Sequence, residues 1–360
     1  MIDDAELCDL LEAMVRIPSP SREEERIARF LVETLNARGF RAHRDEVGNL
    51  VAEIGTGAVE NEVVLLGHID TVPGDLEVRR EDGVLHGRGS VDAKAPLAAF
   101  IAAAARVAAT NADARFVVIG CVEEEVASSK GARHVLSRRA PRYLVVGEPS
   151  GWDAITLGYK GFVAARLDID VPRAHGAHEA SSAAELAVLA WSRVEEDARR
   201  FNAERERLFD RLMPRLATIE SACDERGRDR ARATLQWRLP PDLDPAALAA
   251  RAEARLAGIE GARLSFEVEG VRAWSGPRTT ELHRRFLGAI RARGGRARCL
   301  LKTGTADLNL VAPAWGCPAL AYGPGDAALD HAPDERIELD ELVRGAAVLE
   351  EALAALTARG

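Results

Sequence analysis

The sequence predicts an α/β protein with a mostly parallel central sheet, interrupted by a small inserted α/β sandwich. Up to about residue 162, apolar runs that end in polar residues alternate with helical patterns, as in parallel sheets covered by helices. After that point, alternating half-buried strands and long charged helices take over. The first pattern resumes near residue 275. We therefore assign residues 1–162 and 275–360 to one domain and residues 163–274 to an insertion.

The first domain begins with two helical patterns, at residues 3–15 and 22–38, with Ser19 and Ser21 as candidate N-caps. An Ala-rich helix follows in DAKAPLAAFIAAAARVAA. Three apolar strands end in polar residues, and they are NEVVLLGHID, ARFVVIGCVEEE and PRYLVVGEPS. Since functional groups in such sheets gather beyond the carboxyl ends of strands, these ends are where we expect the site.

The insertion reads as three strands and two helices. FVAARLDIDVP alternates like a half-buried strand, and a long amphipathic helix follows in AAELAVLAWSRVEEDARRFNAERERLF. The strand ATLQWRLP, a helix near 245–257 and the strand ARLSFEVEG complete the block.

Composition excludes several classes of protein. The formal net charge of −9 disfavours nonspecific nucleic-acid binding. No apolar run approaches the roughly 20 residues that span a bilayer. The N-terminal residues lack the pattern of a secretory signal, and the five cysteines are scattered, which is typical of reduced thiols. We therefore expect a cytoplasmic protein with no membrane and no nucleic acid among its partners.

Metal-type side chains stand at the predicted strand ends and in Gly/Pro-rich loops. Each has an ordinary explanation when taken alone, since Asp92 could be a helix N-cap and His331 an exposed loop histidine. Together they supply two imidazoles and several carboxylates, the mixture expected around a pair of hydrolytic zinc ions. The set comprises His68, Asp70, Asp92, Glu124, Glu125, Glu148 and His331.

Lysine is scarce in this chain. Only four of the 48 basic residues are lysines, namely Lys94, Lys130, Lys160 and Lys302. All four lie in or beside the segments that carry the candidate site. Because an ammonium group is not equivalent to a guanidinium group, we predict that these positions need a lysine near the site.

These motifs, in this order, resemble the co-catalytic zinc amidohydrolases that include acetylornithine deacetylase, succinyl-diaminopimelate desuccinylase, aminoacylase and carboxypeptidase G. The resemblance covers nearly the whole chain and implies a zinc-peptidase-like catalytic domain with two Zn²⁺ ions, for which Co²⁺ can substitute. It makes Glu124 the general base and Asp70 a carboxylate that orients a ligand. The implied metal ligands are His68, Asp92 as the bridge, Glu125, Glu148 and His331, and Glu335 matches the family's acidic residue after the last histidine.

Two residue assignments, the general base with its neighbouring ligand and the histidine of the inserted domain, each have an alternative. Three consecutive glutamates allow the base–ligand pair to be Glu123–Glu124, although the spacing to Ser128 favours Glu124–Glu125. The family's inserted domain forms a homodimer and donates a histidine to the substrate carbonyl across it. In RAHGAHEASS that residue is His175, with His178 as the alternative.

Within the family, EEEVASSKGA, GEPSGWDAITLGYKG and KTGTADLN look most like the hydrolases of carrier-protein-dependent lysine biosynthesis. This likeness implies release of lysine, or ornithine, from the γ-carboxyl of the C-terminal Glu of a small acidic carrier protein. The candidate substrate-binding residues are Tyr159, Lys160, Arg238, Lys302, Thr303 and Gly304.

Other functions remain open at this point. Within the same class, the alternatives are an N-acetyl-ornithine or N-acetyl-lysine deacetylase and a dipeptidase. A different class is a catalytically silent binding protein on the same fold. Loss of a ligand or of the base would indicate the silent protein, and the sequence retains all of them.

Overall fold

The structure is a computed structural model, and it describes residues 2–173, 180–266 and 270–358. The chain divides into two compact units. Unit 1 is built from Met1–Gly158, Gly276–Leu301 and Ala306–Gly360, and unit 2 from Tyr159–Ser275 and Lys302–Thr305. The catalytic and dimerisation roles of the two domains stay predictions.

The described residues form nine α-helices and sixteen strands. The helices are α1 Asp4–Val15, α2 Glu25–Asn36, α3 Lys94–Thr110, α4 Lys130–Val135, α5 Ala183–Phe201, α6 Pro245–Leu256, α7 Glu281–Ala292, α8 Leu308–Trp315 and α9 Leu339–Thr357. The strands are β1 Arg41–Arg44, β2 Leu50–Ile54, β3 Val63–His68, β4 Arg79–Glu81, β5 Val84–His86, β6 Phe116–Cys121, β7 Tyr143–Val146, β8 Ala154–Tyr159, β9 Gly161–Pro172, β10 Met213–Cys223, β11 Arg228–Leu239, β12 Ala262–Phe266, β13 Trp274–Ser275, β14 Arg298–Lys302, β15 Ala319–Ala321 and β16 Arg336–Glu338.

The main sheet of unit 1 runs in the order β1-β2-β6-β3-β7-β15-β8, and β14 also pairs with β8. Its central strands β6, β3, β7 and β15 are parallel, whereas β1, β2 and β8 join antiparallel. This arrangement confirms the predicted α/β class with a mostly parallel sheet. Strands β3, β6 and β7 are buried along their whole length, which explains why their sequences are continuous apolar runs.

Helix α3 lies in the core of unit 1. Residues 94–105 are all buried, as expected for a helix that is apolar on every side. The small side chains of its alanines let it approach the sheet, α1 and α9 closely. Its first turn is therefore fixed in position, and Asp92 lies just before it.

The start of α2 differs from the prediction. The helix begins at Glu25 with Glu24 as N-cap, so the predicted start at 22 and the predicted caps were wrong. The two serine hydroxyls bind elsewhere, because Ser19 Oγ donates to the Ile69 carbonyl and Ser21 Oγ to the Asp70 carboxylate. These bonds tie the segment before α2 to the end of β3.

Unit 2 contains an antiparallel sheet in the order β10-β11-β9-β12. Helices α5 and α6 cover one face of it and enclose an apolar core. Strand β10 was not predicted, because this edge strand is mostly exposed and lacks apolar alternation. Helix α5 ends earlier than predicted, since the Asn202 side chain pairs with both backbone groups of Leu212 and turns the chain.

Two further observations concern the whole described chain. None of its helices combines the length and the apolar character needed to cross a membrane. All five cysteines are free thiols, and Cys8 and Cys121 are buried.

Candidate metal centre

Three predicted ligands meet at the carboxyl end of the main sheet of unit 1. One ligand atom from each of His68, Asp92 and Glu125 lies within 4.8 Å of the others. His68 ends β3, Asp92 precedes α3, and Glu125 follows β6. Because β3 and β6 are adjacent and parallel, their ends bring these side chains to one edge of the sheet.

Asp92 lies between two imidazoles. Its Oδ1 is 3.2 Å from His68 Nε2, and its Oδ2 is 3.2 Å from His331 Nε2. His331 Nε2 is also 3.0 Å from Glu125 Oε2. Ligand atoms of a tetrahedral zinc ion lie about 3.3 Å apart when the bonds are about 2.0 Å long. The spacing therefore fits cations on either side of Asp92.

Asp70 joins the two strand ends. It is fully buried, and its Oδ1 and Oδ2 accept the backbone N–H groups of Glu124 and Glu125, each at 3.1 Å. His68 Nδ1 is 2.9 Å from the Asp70 carbonyl oxygen. This contact favours a hydrogen on Nδ1, so Nε2, which faces Asp92, is the atom that would bind a cation.

A buried ion pair supports the backbone of Asp92. Glu335 Oε1 accepts the amides of Val91 and Asp92 at 2.9 and 3.1 Å. Its second oxygen accepts from Arg88 at 2.8 Å. Glu335, which is 1% exposed, therefore fixes Asp92 through the main chain.

The three consecutive glutamates point to different places. Glu123 accepts a 2.7 Å hydrogen bond from Ser128 and lies 3.7 Å from the Lys130 ammonium. Glu125 contacts His331. The geometry therefore supports Glu124–Glu125 over Glu123–Glu124. Glu148, half-buried after β7, is near enough for its charge to raise the pKa of Glu124, and its predicted ligand role stays a prediction.

The pKa shifts reflect crowded acids beside two histidines. Burial, and then the charge of Glu148, raises the pKa of Glu124 well above its usual value. Hydrogen bonds to Asp92 and Glu125 raise the pKa of His331 to about 10. Burial alone would lower the pKa of His68, but contacts with Asp70 and Asp92 reverse the effect and leave it well above normal. A divalent cation would relieve this crowding of anions and release the imidazole protons.

Sequence reasoning missed some residues around this centre. Asp307 is 2% exposed, and neither carboxylate oxygen has a hydrogen-bond partner among the described residues. Burial raises its pKa to about 7. Its signal was visible, since it lies in the same KTGTADLN segment as Lys302. Ser21, which binds Asp70, was predicted only as an N-cap, and Glu24, which binds the Glu123 amide, carried no recognised signal.

Several candidate substrate-binding residues meet inside unit 2. Lys302 Nζ lies 5.9 Å from the centroid of the Tyr159 ring. Arg238 donates a 2.7 Å hydrogen bond to Thr305 Oγ1 and stacks 4.8 Å above the Phe162 ring. Thr303 and Gly304 are half-buried in the same short segment.

Two of the four lysines bind main-chain carbonyls. Lys94 Nζ donates to the carbonyls of Met14 and Ile17 at 3.1 and 2.9 Å, and burial lowers its pKa to about 7. Lys160 is fully buried in unit 2, and its ammonium donates to carbonyls of residues 208, 209 and 211. This geometry gives Lys160 a structural role, and its contact with substrate stays a prediction. His175 and His178 lie outside the described residues.

Comparison with known proteins agrees with the geometry. Residues 64–355 match the model of peptidase family M20/M25/M40. The LysW-lysine hydrolase of Deinococcus radiodurans is 45% identical over 355 residues, with 97% of this chain and 96% of that protein covered.

Solved structures share the fold. An M20 family metallo-carboxypeptidase, Sso-CP2 from Sulfolobus solfataricus, superposes with a TM-score of 0.80 at 18% identity, covering 98% of this chain and 99% of that one. Human carnosine dipeptidase 1 superposes with a TM-score of 0.75 at 17% identity, and the match covers 98% of this chain and 97% of that one. The family match spans most of the chain and includes every strand end that carries the candidate metal centre, so the chain is a hydrolase of peptidase family M20/M25/M40.

Proposed function

We propose that this hydrolase uses two zinc ions to release lysine, or ornithine, from the C-terminal Glu γ-carboxyl of an amino-group carrier protein. The observation that carries the zinc assignment is the Asp92 carboxylate, whose two oxygens face two different imidazoles at 3.2 Å. The 45% identical relative named LysW-lysine hydrolase supports the choice of substrate.

The donor set fits zinc, with Co²⁺ as a substitute. Neutral imidazoles and carboxylates are ligands that both ions accept. Asp92 would bridge the two ions, with His68 and Glu148 holding one and Glu125 and His331 the other. When bound, zinc ions polarise an amide carbonyl and make water a stronger acid.

Glu124 is the proposed general base. Its carboxylate is surrounded by other acids and by the protein interior, so it takes up a proton readily. It would accept a proton from the attacking water and deliver it to the leaving amine of lysine. Asp70 holds the amide of Glu124 and contacts His68, so it positions the base and a metal ligand together.

An arginine-rich surface on unit 2 supports an acidic partner. On the sheet face opposite α5 and α6, the strand registers place seven arginines and three acidic residues. The chain as a whole carries −9, so this excess of positive charge is local. Such a surface would attract an acidic carrier protein. This arginine face comprises Arg166, Arg215, Arg228, Arg230, Arg232, Arg238 and Arg263, with Asp168, Asp170 and Glu220.

We also propose a homodimer formed through unit 2. Strand β10 is an edge strand, and α5 exposes Val188 and Leu189, of which Val188 is 57% exposed. Unpaired strand edges and exposed apolar side chains mark association surfaces. In the dimer, His175 of one subunit would stabilise the oxyanion in the other. Mixing Glu124→Gln with His175→Ala protomers should restore partial activity, and recovery only with His178→Ala would move the role to His178.

The substrate assignment is tested by comparing kcat/KM for carrier-linked lysine, carrier-linked ornithine, acetyl-lysine and acetyl-ornithine. We expect a carrier-linked substrate to be cleaved far faster than either free one. Equal values for acetyl-ornithine and carrier-linked lysine would indicate a general deacylase. No turnover of any amide by the zinc-loaded protein would indicate a binding protein. The proposed compartment is the cytoplasm, where free thiols persist.

A further inference from the structure

Three consecutive backbone amides in unit 1 are each held by a buried carboxylate from a distant segment. Glu124 N–H and Glu125 N–H donate to Asp70. The preceding amide, that of Glu123, donates to Glu24 Oε1 at 3.0 Å. Glu24 is 6% exposed and lies directly before α2. The loop after β6 is thus held at three consecutive residues, Glu123 to Glu125, which include the proposed base and ligand.

The backbone of Glu123 needs this support. Its φ is +57°, a left-handed conformation that is unfavourable for a residue with a side chain. At this turn the Glu123 side chain leaves toward Ser128, whereas Glu125 reaches His331. The conformation of Glu123 therefore decides which glutamates face the metal centre.

Glu24 is not explained as a helix cap. Its side chain makes no capping hydrogen bond to α2. The same oxygen that binds Glu123 accepts the amide of Arg22 at 2.8 Å, which orients the carboxylate away from its own helix. Hydrogen bonds to a charged acceptor are stronger than those to a neutral one, and they offset the cost of the left-handed turn.

One short segment supports both carboxylates. Ser21, three residues before Glu24, donates a 2.7 Å hydrogen bond to Asp70 Oδ2. The segment is itself bound to the end of β3, because Thr71 N–H donates to the Ser19 carbonyl and Ser21 N–H to the Thr71 carbonyl. Residues 19–24 therefore link Asp70 and Glu24 into one support for the loop after β6.

We propose that Glu24 is a positioning residue of the hydrolytic site, whose carboxylate holds the Glu123 turn so that Glu124 and Glu125 face the metal centre. The proposal rests on the proposed function, in which Glu125 is a zinc ligand. Residues that act through a ligand in this way typically change metal affinity or activity by about 10–100-fold.

The test uses the full-length protein and measures zinc dissociation constants with a chromophoric chelator, together with kcat and KM. Glu24→Ala should weaken the weaker zinc site by about tenfold or more and lower kcat rather than raise KM. Glu24→Asp keeps the charge but shortens the side chain by one methylene, so it should show the same loss. Glu24→Gln keeps an acceptor oxygen and should restore most of the affinity. The neighbouring exposed residue supplies the control, Glu23→Ala, which should behave as the wild type.

The outcomes separate the two proposals. Thermal unfolding and circular dichroism identify variants that fail to fold, and Glu24→Asp and Glu24→Gln keep the test informative if Glu24→Ala is one of them. A folded Glu24→Ala or Glu24→Asp protein with wild-type zinc affinity would overturn the positioning role, whatever the substrate. A wild-type protein that binds two zinc ions but cleaves no carrier-linked substrate would refute the proposed substrate and leave the role of Glu24 to be judged by zinc affinity.

Discussion

The candidate metal centre of unit 1 and the arginine face of unit 2 both place acidic side chains beside basic ones, in opposite surroundings. Asp70 and His68 are at most 1% exposed, whereas the Arg232 side chain on the arginine face is 61% exposed and its pair with Asp168 spans 3.1 Å. Removing one partner from a buried network costs about 3–5 kcal/mol. An exposed pair contributes about 0–1 kcal/mol and weakens with salt. Single substitutions should therefore matter in the first region, and only combined ones in the second.

The largest effect should come from Asp92→Ala. This change removes both oxygens that face the two imidazoles, so zinc and activity should be lost together. Metal analysis after gel filtration, alongside kcat, measures both. Full activity in a protein that retains no metal would exclude the zinc assignment.

Glu124→Gln should have nearly as large an effect on turnover, without loss of metal. Glutamine keeps the shape but cannot accept the proton, so kcat should fall about 100- to 10,000-fold. Zinc content should stay near that of the wild type. The matched control is Glu123→Gln, whose side chain faces Ser128. If this control is the inactive variant instead, the base is one residue earlier than proposed.

The candidate metal centre and the turn at Glu123 show what the sequence could and could not predict. His68, Asp92 and Glu125 were predictable because each follows a recognisable strand or precedes a recognisable helix, and parallel strand ends converge. The turn at Glu123 was not, because a left-handed conformation is unusual for glutamate and depends on Glu24, which is 99 residues away in sequence.

Unit 2 shows which strands can be predicted from the sequence and which cannot. Strands β9 and β11 alternate between buried residues and residues that are half-buried or exposed, so their pattern predicts them. Strand β10 is exposed along most of its length, and an edge strand without a buried face leaves no such pattern. The 302–305 segment groups with unit 2 although it lies beyond the predicted insertion, because its contacts are with distant residues such as Lys160 and Arg238.

On the arginine face, a single substitution should change KM for the carrier-linked substrate much less than several substitutions made together. Arg232→Ala alone should raise KM for the carrier-linked substrate no more than about threefold. Changing Arg215, Arg232 and Arg263 together should raise it further at low salt, and the difference should shrink as salt rises. Acetyl-lysine turnover should not change. Arg296→Ala, an exposed arginine in unit 1, is the control, and an equal effect there would remove the docking role of this face.

The smallest effect on activity should come from Lys160→Met. Because the Lys160 ammonium is bound to the carbonyls of residues 208, 209 and 211, its loss should lower the free energy of unfolding by about 2 kcal/mol and leave KM unchanged.

Lys302→Met should instead raise KM for the carrier-linked substrate. Denaturant unfolding and steady-state kinetics on both variants measure this. A raised KM in Lys160→Met, with unchanged stability, would support the substrate contact that the sequence predicts for Lys160 and exclude a purely structural role.

The order of strands in unit 1 has a consequence for synthesis on the ribosome. Strands β7 and β8 follow each other in sequence, but β15 lies between them and pairs with both. At about 5–20 residues per second, the roughly 160 residues that separate β8 from β15 take about 8–30 seconds to appear. During that interval the nascent sheet lacks the apolar strand that pairs with both β7 and β8, while unit 2 can fold apart from its last four residues. Nascent chains that have passed residue 275 but not residue 321 should therefore be the ones that chaperones bind most and that aggregate most readily.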